Sequence, residues 1–170
     1  MKAAFTTDRL DAEPLDLAAH EQELAGLHAD PRVMATMGGS TATPEESRAW
    51  IERNLRHGQE PGLGIFVFRE RDTGAFVGRG AIRRIEIGGG EEVEVGYAVA
   101  AERWGRGLAT EMAQGLVAHA EEHGLAGLVA YTEPTNTASR RVMEKVGFRY
   151  ERDVEHHARS QVLYRRGAKP

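Results

Sequence analysis

The chain has 170 residues, with 22 Lys+Arg against 26 Asp+Glu and a formal net charge of −4. It therefore lacks the basic surplus with which a general nucleic-acid binder neutralises phosphates. It contains no cysteine, which excludes disulfides, thiolate-held metals and a cysteine nucleophile and fits a reducing compartment.

Hydrophobic residues make up 41% and charged residues 28%, as in a soluble globular protein. The length suffices for one domain, residues 1–170, burying roughly 70% of its unfolded surface. The N-terminal stretch MKAAFTTDRLDAEPLDLAAH carries acids early and no continuous apolar run, unlike a signal peptide. No apolar segment approaches the roughly 18 residues of a membrane span. One soluble cytoplasmic domain is expected, with no membrane and no nucleic acid among its partners.

A first strand is predicted over Arg9–Leu15, with Pro14 near its end. Leu17, Glu21, Leu24, Leu27 and His28 then follow a helical period, stopped by Asp30-Pro31. Thr43-Pro44-Glu45-Glu46 is a capping box with proline at the first helical position, and Trp50, Ile51, Asn54 and Leu55 share one side of the helix behind it. Ile65–Arg69 and Phe76–Arg84 read as strands about the turn Asp72-Thr73-Gly74, and Gly88-Gly89-Gly90 connects to a third, Val93–Val99. Ala109, Met112, Ala113, Leu116, Val117 and Ala120 form an amphipathic stripe ended by Gly124. Leu128–Thr132 reads as a buried strand, Asn136–Val146 as a helix closed by Gly147, Phe148–Val154 as a strand and Gln161–Arg165 as a last one. This order implies an α/β (α+β) fold with a mixed sheet flanked by helices.

The most informative segment is Glu92–Thr110, a strand that runs through Trp104, Gly105, Arg106 and Gly107 into the helix beginning at Leu108, Ala109 and Thr110. Glycines allow main-chain N–H groups to approach a ligand, and a helix N-terminus favours an anion, so a diphosphate fits. The bland alternative is two turn glycines before an ordinary helix. The dinucleotide fingerprint G-x-G-x-x-G is not met, because Thr110 holds its third place, and no G-x-x-x-x-G-K-[ST] loop occurs.

A second cluster, Asn136-Thr-Ala-Ser-Arg-Arg-Val-Met-Glu-Lys-Val-Gly-Phe148, follows the short strand. With Trp104–Glu111, it makes the sequence resemble the GNAT superfamily of acetyl-CoA-dependent N-acetyltransferases. The resemblance is to its RimJ/RimL-like branch, which carries N-x-x-S-x-R-hydrophobic-x-E-K-x-G-F and W-G-x-G-x-A-T-E motifs. Arg9-Leu10, Asp30-Pro31-Arg32-Val33 and Thr43-Pro44-Glu45 are similar to that branch too, so the likeness spans essentially the whole chain. Trp104 stands where the superfamily's broader pattern has Gln or Arg, but tryptophan is usual in this branch.

The resemblance implies a mostly antiparallel, seven-stranded mixed sheet with helices on both faces and a splayed V between the fourth and fifth strands. It implies acetyl-CoA as co-substrate, no metal, and direct transfer to a primary amine on a protein N-terminus or a small molecule. Main-chain amides near Ala98 and Val99 would bind the pantetheine arm and the thioester oxygen. Trp104, Gly105, Arg106, Gly107, Leu108, Ala109 and Thr110 would hold the pyrophosphate, with Arg103 adding charge. Asn136 would bind the arm or cap its helix, and Ser139 would position the sulfur.

Glu94 matches the family's base, and strand alternation puts it on one face with Glu92, opposite Val93 and Val95. A solvated strand face is the competing account of those two acids. Ser139 and Tyr131 are both candidates to protonate the leaving thiolate, and Tyr97 is a third. Met34, Met37 and Trp50 are candidates to line the acceptor site, with core packing as the alternative. His119-Ala-Glu-Glu-His123 matches an inverted zincin motif without an evident third ligand, and His156-His157 reads as loop or acceptor-site lining. A homodimer would form through the sheet edge or C-terminal strands, and nothing in the sequence fixes one. The competing function classes are a catalytically silent CoA-binding sensor or scaffold and, further off, a dinucleotide oxidoreductase.

Overall fold

Two capping signals place the first helices. In the computed structural model, which describes residues 2–167, the strands β1 (Phe5–Thr6) and β2 (Leu10–Pro14) precede helix α1 (Leu17–Ala29). Asp30-Pro31 does end α1, but the chain resumes at once as a helix the sequence analysis did not anticipate, α2 (Pro31–Thr36). The Asp30 side chain accepts from Arg32 N, and Pro31 fills the first helical position, where a missing N–H costs nothing. The same two residues are thus a stop and a start. The predicted capping box opens α3 (Pro44–Asn54), with Thr43 and Glu46 bonded reciprocally.

Next come β3 (Gly64–Glu70), β4 (Phe76–Ile87), β5 (Gly90–Val99), α4 (Leu108–Glu122), β6 (Leu128–Thr132), α5 (Thr137–Lys145), β7 (Arg149–His156) and β8 (Arg159–Arg166). They form one sheet in the order β1-β2-β3-β4-β5-β6-β8-β7. Every neighbouring pair is antiparallel except β5–β6. The sheet has eight strands rather than the expected seven. The addition, β1, is two residues long, too short to show an alternation. Phe5 pairs with Ala12 and Thr6 with Asp11.

The sheet is covered on both faces. On one, Met112, Leu116 and Val117 of α4 and Met143 of α5 pack against Phe66, Phe68, Ile82 and Val95. Met112 and Leu116 are fully buried, and each such side chain contributes about 1.5–3 kcal/mol. The close approach needs Gly80, because a Cβ there would lie 2.7 Å from Leu116 and 2.8 Å from Phe68. On the other face Leu24, Leu27, Val33 and Ile51 of α1–α3 cover Val67 and Ala98. These helices stop short of β6–β8, where a smaller cluster of Ile87, Val129, Val154 and Leu163 forms.

The β7–β8 hairpin turns through His157 and Ala158, at φ 51° and 57°. Two left-handed residues match the twist of the flanking strands, and the turn brings His156 opposite Arg159. No helix among the described residues is long and apolar enough to cross a membrane.

Candidate active site

β5 and β6, the fourth and fifth of the predicted strands, pair only at Glu94↔Val129. β5 meanwhile stays paired to β4 as far as Gly78↔Val99. The strands therefore part beyond Glu94, opening a V. The Ala100 N–H reaches Val77 O at 2.9 Å, which sets the phase of the β4–β5 ladder. Alternate residues Gly96 and Ala98 spend their main-chain groups on β4, while Tyr97 and Val99 turn theirs to the gap. Of the two amides expected to face a ligand, Val99 keeps that position. The register turns Ala98 toward Arg79 and brings Tyr97 in its place. Ala98 instead contributes its methyl group to the core under α1–α3.

Trp104–Thr110 lies just past the C-terminal end of β5. Gly105 and Gly107 both have φ 75°, a conformation that costs other residues roughly 1–2 kcal/mol. Gly107 is the N-cap of α4 and supplies no side-chain bond. The helix's first internal bond from this residue is Glu111 N to Gly107 O, so the amides of Leu108, Ala109 and Thr110 have no acceptor within the helix. That end of α4 suits an anion.

Trp104 is 46% exposed and donates its indole N–H to Val99 O at 2.8 Å, tying the loop to the strand end. Arg103 and Arg106 both reach Glu70, at 3.3 and 2.7 Å, so a carboxylate partly neutralises them. Glu111 accepts from Thr7 Oγ1, Arg9 N and Arg9 Nε at 2.6–2.7 Å. Burial pushes its pKa up, but these bonds outweigh it and hold the carboxyl below its ordinary value. The last letter of the loop motif is therefore a clasp onto the β1–β2 connection.

A cavity of about 470 Å³ opens at the V on the α1–α3 face. Glu94 and Tyr131 both line it, joined through Arg83. Arg83 Nε donates to Glu94 Oε2 at 2.6 Å, and the Arg83 charge also acts on the Tyr131 hydroxyl. The second Glu94 oxygen lies over Gly96, where a Cβ would come within 3.1 Å of it. Burial first, and the Glu94 charge second, push the Tyr131 phenol up to about 12. It is held protonated, as a donor.

Glu92 and Glu94 do share a face, but not a solvated one: they are 6% and 7% exposed. Arg165 holds both Glu92 oxygens, at 2.8 and 3.0 Å. Arg83 was missed in the sequence. The signal lay in the hairpin, because folding it about Gly88-Gly89 sets Arg83 opposite Glu94.

Ser139 sits on the other side of the gap, its hydroxyl 3.1 Å from the Tyr97 hydroxyl. Burial pushes that phenol up to about 12, with the Ser139 bond acting against it. Asn136 is the N-cap of α5: its Oδ1 accepts from Ser139 N at 3.1 Å, and its Nδ2 donates to Thr36 O at 3.3 Å. Both ends of its amide are thus used within the fold. Met37 and Trp50 line the cavity and Met34 does not, while His156 and His157 do.

Behind Trp50 lies a buried polar chain the sequence did not suggest. The Arg79 guanidinium sits 4.3 Å above the Trp50 ring and its Nε donates to His28 Nε2 at 3.2 Å. His28 must then carry its proton on Nδ1, which donates to Ser47 Oγ at 2.8 Å. Burial first, and Arg79 second, lower the His28 pKa from 6.5 to about 4. The unfolded chain therefore takes up protons first as pH falls. The stability that His28 provides is intact above pH 6.5 and drains away down to pH 4. The stability gap between wild type and His28→Gln should close by about 3 kcal/mol between pH 7 and pH 4. Urea midpoints at several pH values measure this, and a constant gap would refute it.

The H-x-x-E-H segment is occupied otherwise. His119 stacks on Phe5 at 4.6 Å between ring centroids, and His123 Nδ1 lies 2.8 Å from His119 O. Among the described residues no group of three or more potential ligands could hold a metal ion.

Residues 9–149 match the family model described as "Acetyltransferase (GNAT) domain". The chain is 27% identical over 166 residues, covering 97% of itself and 96% of its relative, to a Bacillus subtilis protein named only as uncharacterized YkkB. It superposes on a solved Bordetella pertussis structure, titled a putative GNAT-family acetyltransferase, with TM-score 0.82, 25% identity, and coverage of 96% of this chain and 98% of that one. RimL, titled a ribosomal L7/L12 alpha-N-protein acetyltransferase in complex with coenzyme A, shares the fold at TM-score 0.76, 17% identity and 94% coverage of each chain.

Proposed function

Since the chain belongs to the GNAT acetyltransferase family, we propose that it moves an acetyl group from acetyl-CoA to a primary amine by direct attack in a ternary complex. One juxtaposition carries this reading. The uncapped N-terminus of α4, with Gly105 and Gly107 before it, and the V at Glu94 lie along one strand end. A long ligand with an anionic middle and a reactive tip suits that layout.

Acetyl-CoA supplies the thioester, and the remaining work falls to the protein. The amides of Leu108, Ala109 and Thr110, with Arg106 and Trp104 beside them, hold the pyrophosphate. Tyr97 and Val99 offer main-chain groups to the arm and to charge developing on the thioester oxygen. Glu94 draws the acceptor's ammonium group through its oxygen not engaged by Arg83. Tyr131 and the Ser139–Tyr97 pair are the donors for the departing sulfur.

A protein N-terminus is one acceptor class, in keeping with the RimJ/RimL-like motifs and with RimL, a ribosomal L7/L12 alpha-N-protein acetyltransferase. A small amine is the other. Trp50 and Met37 give the acceptor end an apolar wall.

Calorimetric titration with acetyl-CoA, beside CoA, NAD and ATP, tests the reading. Micromolar binding of acetyl-CoA and CoA with none of the others is expected. Folded protein that ignores acetyl-CoA would overturn the assignment. Binding without turnover of any amine would favour a CoA sensor instead.

A further inference from the structure

The reaction proposed above needs a group that removes a proton from the amine, and the cavity offers two. Glu94 already spends Oε2 on the Arg83 guanidinium at 2.6 Å. His156, at the end of β7, lines the same cavity. Its ring meets the Tyr131 ring edge-on at 4.9 Å and the His157 ring at 4.0 Å. No described side chain takes a hydrogen bond from its nitrogens. The β7–β8 turn holds it there with two left-handed residues, His157 and Ala158.

We propose, on the strength of the acetyltransferase reading, that His156 takes the proton from the attacking amine while Glu94 holds the ammonium group in place. A free imidazole is the side chain best matched to proton transfer near neutral pH. The acceptor's R–NH3⁺ gives one proton to a His156 ring nitrogen. The freed lone pair forms a C–N bond to the thioester carbonyl carbon, and the C–S bond breaks. The nitrogen's second surplus proton restores the one that Tyr131 or Ser139 gives to the departing sulfur, and His156 then releases its proton to water. The products are the acetamide, CoA thiol and one proton.

The charges facing the ring come from every neighbouring element. They are His157 and Arg159 on the hairpin, Tyr131 on β6, Glu133 just after it and paired with Arg159 at 2.6 Å, Glu94 on β5 and Arg83 on β4. Burial first, then His157, hold its pKa below the ordinary 6.5 against an upward pull from Glu94, with Arg83 adding the smallest downward push. The ring is therefore unprotonated and ready at pH 7.

The test is steady-state kinetics with acetyl-CoA and three amine probes: phenethylamine, spermidine and Ser-Ala-Ala-amide. For whichever probe is turned over, His156→Gln should lower kcat about 100-fold while KM for the amine and Kd for acetyl-CoA move less than about twofold. Wild type should lose rate as pH falls below 6.5, this acid limb should be absent from the variant, and added imidazole should restore part of kcat. In wild type the His156 ring-proton NMR signal should titrate with that same midpoint, a readout that needs no variant. Unchanged kcat with the acid limb retained, or an NMR midpoint away from it, would overturn the role of His156 and leave the transferase reading standing. If none of the probes is turned over by protein that binds acetyl-CoA, the transferase reading fails and this inference with it.

Discussion

Glu94→Gln should lower kcat/KM for the amine by roughly 10–100-fold, almost entirely through KM, with acetyl-CoA affinity unchanged. The substitution keeps the shape and one oxygen for Arg83, but removes the negative charge that faces the acceptor. A hydrogen bond to a charged group is worth about 1.5–3 kcal/mol, which sets the size of the effect. Glu94 is 7% exposed, so little water is at hand to substitute for it. A thermal melt run in parallel separates this from damage to the fold, since Arg83 loses its carboxylate partner. Should kcat collapse instead, and the acid limb of the pH profile disappear with it, Glu94 rather than His156 would be the proton acceptor. The two variants therefore divide the site cleanly: charge and binding at Glu94, proton transfer at His156.

The largest stability effect is expected away from the chemistry. Arg165→Met should cost about 3–5 kcal/mol and lower Tm by roughly 6–20 °C. Arg165 and Glu92 have side chains only 9% and 4% exposed, and Arg165 also reaches Glu151 and the Gly127 carbonyl. Removing the arginine takes two charge-assisted hydrogen bonds from the Glu92 carboxylate in a place water hardly reaches. The pair Glu92→Leu with Arg165→Met should recover much of the loss, because replacing both members of a buried ion pair removes the desolvation penalty along with the attraction. Urea unfolding of the two single variants and the double variant measures the coupling. Near-additive losses would mean that the pair matters for its packing and not for its charge.

Glu92 lies on β5 and Arg165 on β8, with β6 between them, so the bridge fastens the two strands across the narrow end of the V. Among the described residues no strand pairing of β5 with β6 continues beyond Glu94↔Val129, and there the cavity begins.

Much was legible in the sequence because its causes are local. The capping box at Thr43 and Glu46, the stripe from Ala109 to Ala120, the N-cap at Asn136 and the left-handed glycines at 105 and 107 each depend on neighbours within about four residues. Hydrogen-bond reach and helical period act over that span. These same features marked the glycine loop before α4 and the succession of elements along the chain. The two-residue β1 and the immediate restart at Pro31 escaped because neither is long enough to set up a period. The acids of β5 show where alternation stops being informative. It put Glu92 and Glu94 on one face correctly, yet only the packed structure decided that this face is dry.

What the sequence by itself determined, then, is the set of elements, their caps and the motif-bearing loop. Tertiary structure alone decided which groups meet in the V. Arg83 faces Glu94 through cross-strand register, Arg165 reaches Glu92 across 73 residues of chain, and His156 arrives beside Tyr131 on a hairpin from the end of the fold. Local periodicity carries no information about such distant pairings, because they are set by register and by the exclusion of water between packed surfaces. The gap itself is a run of strand pairing that never forms, and that follows from where β5 and β6 diverge in space.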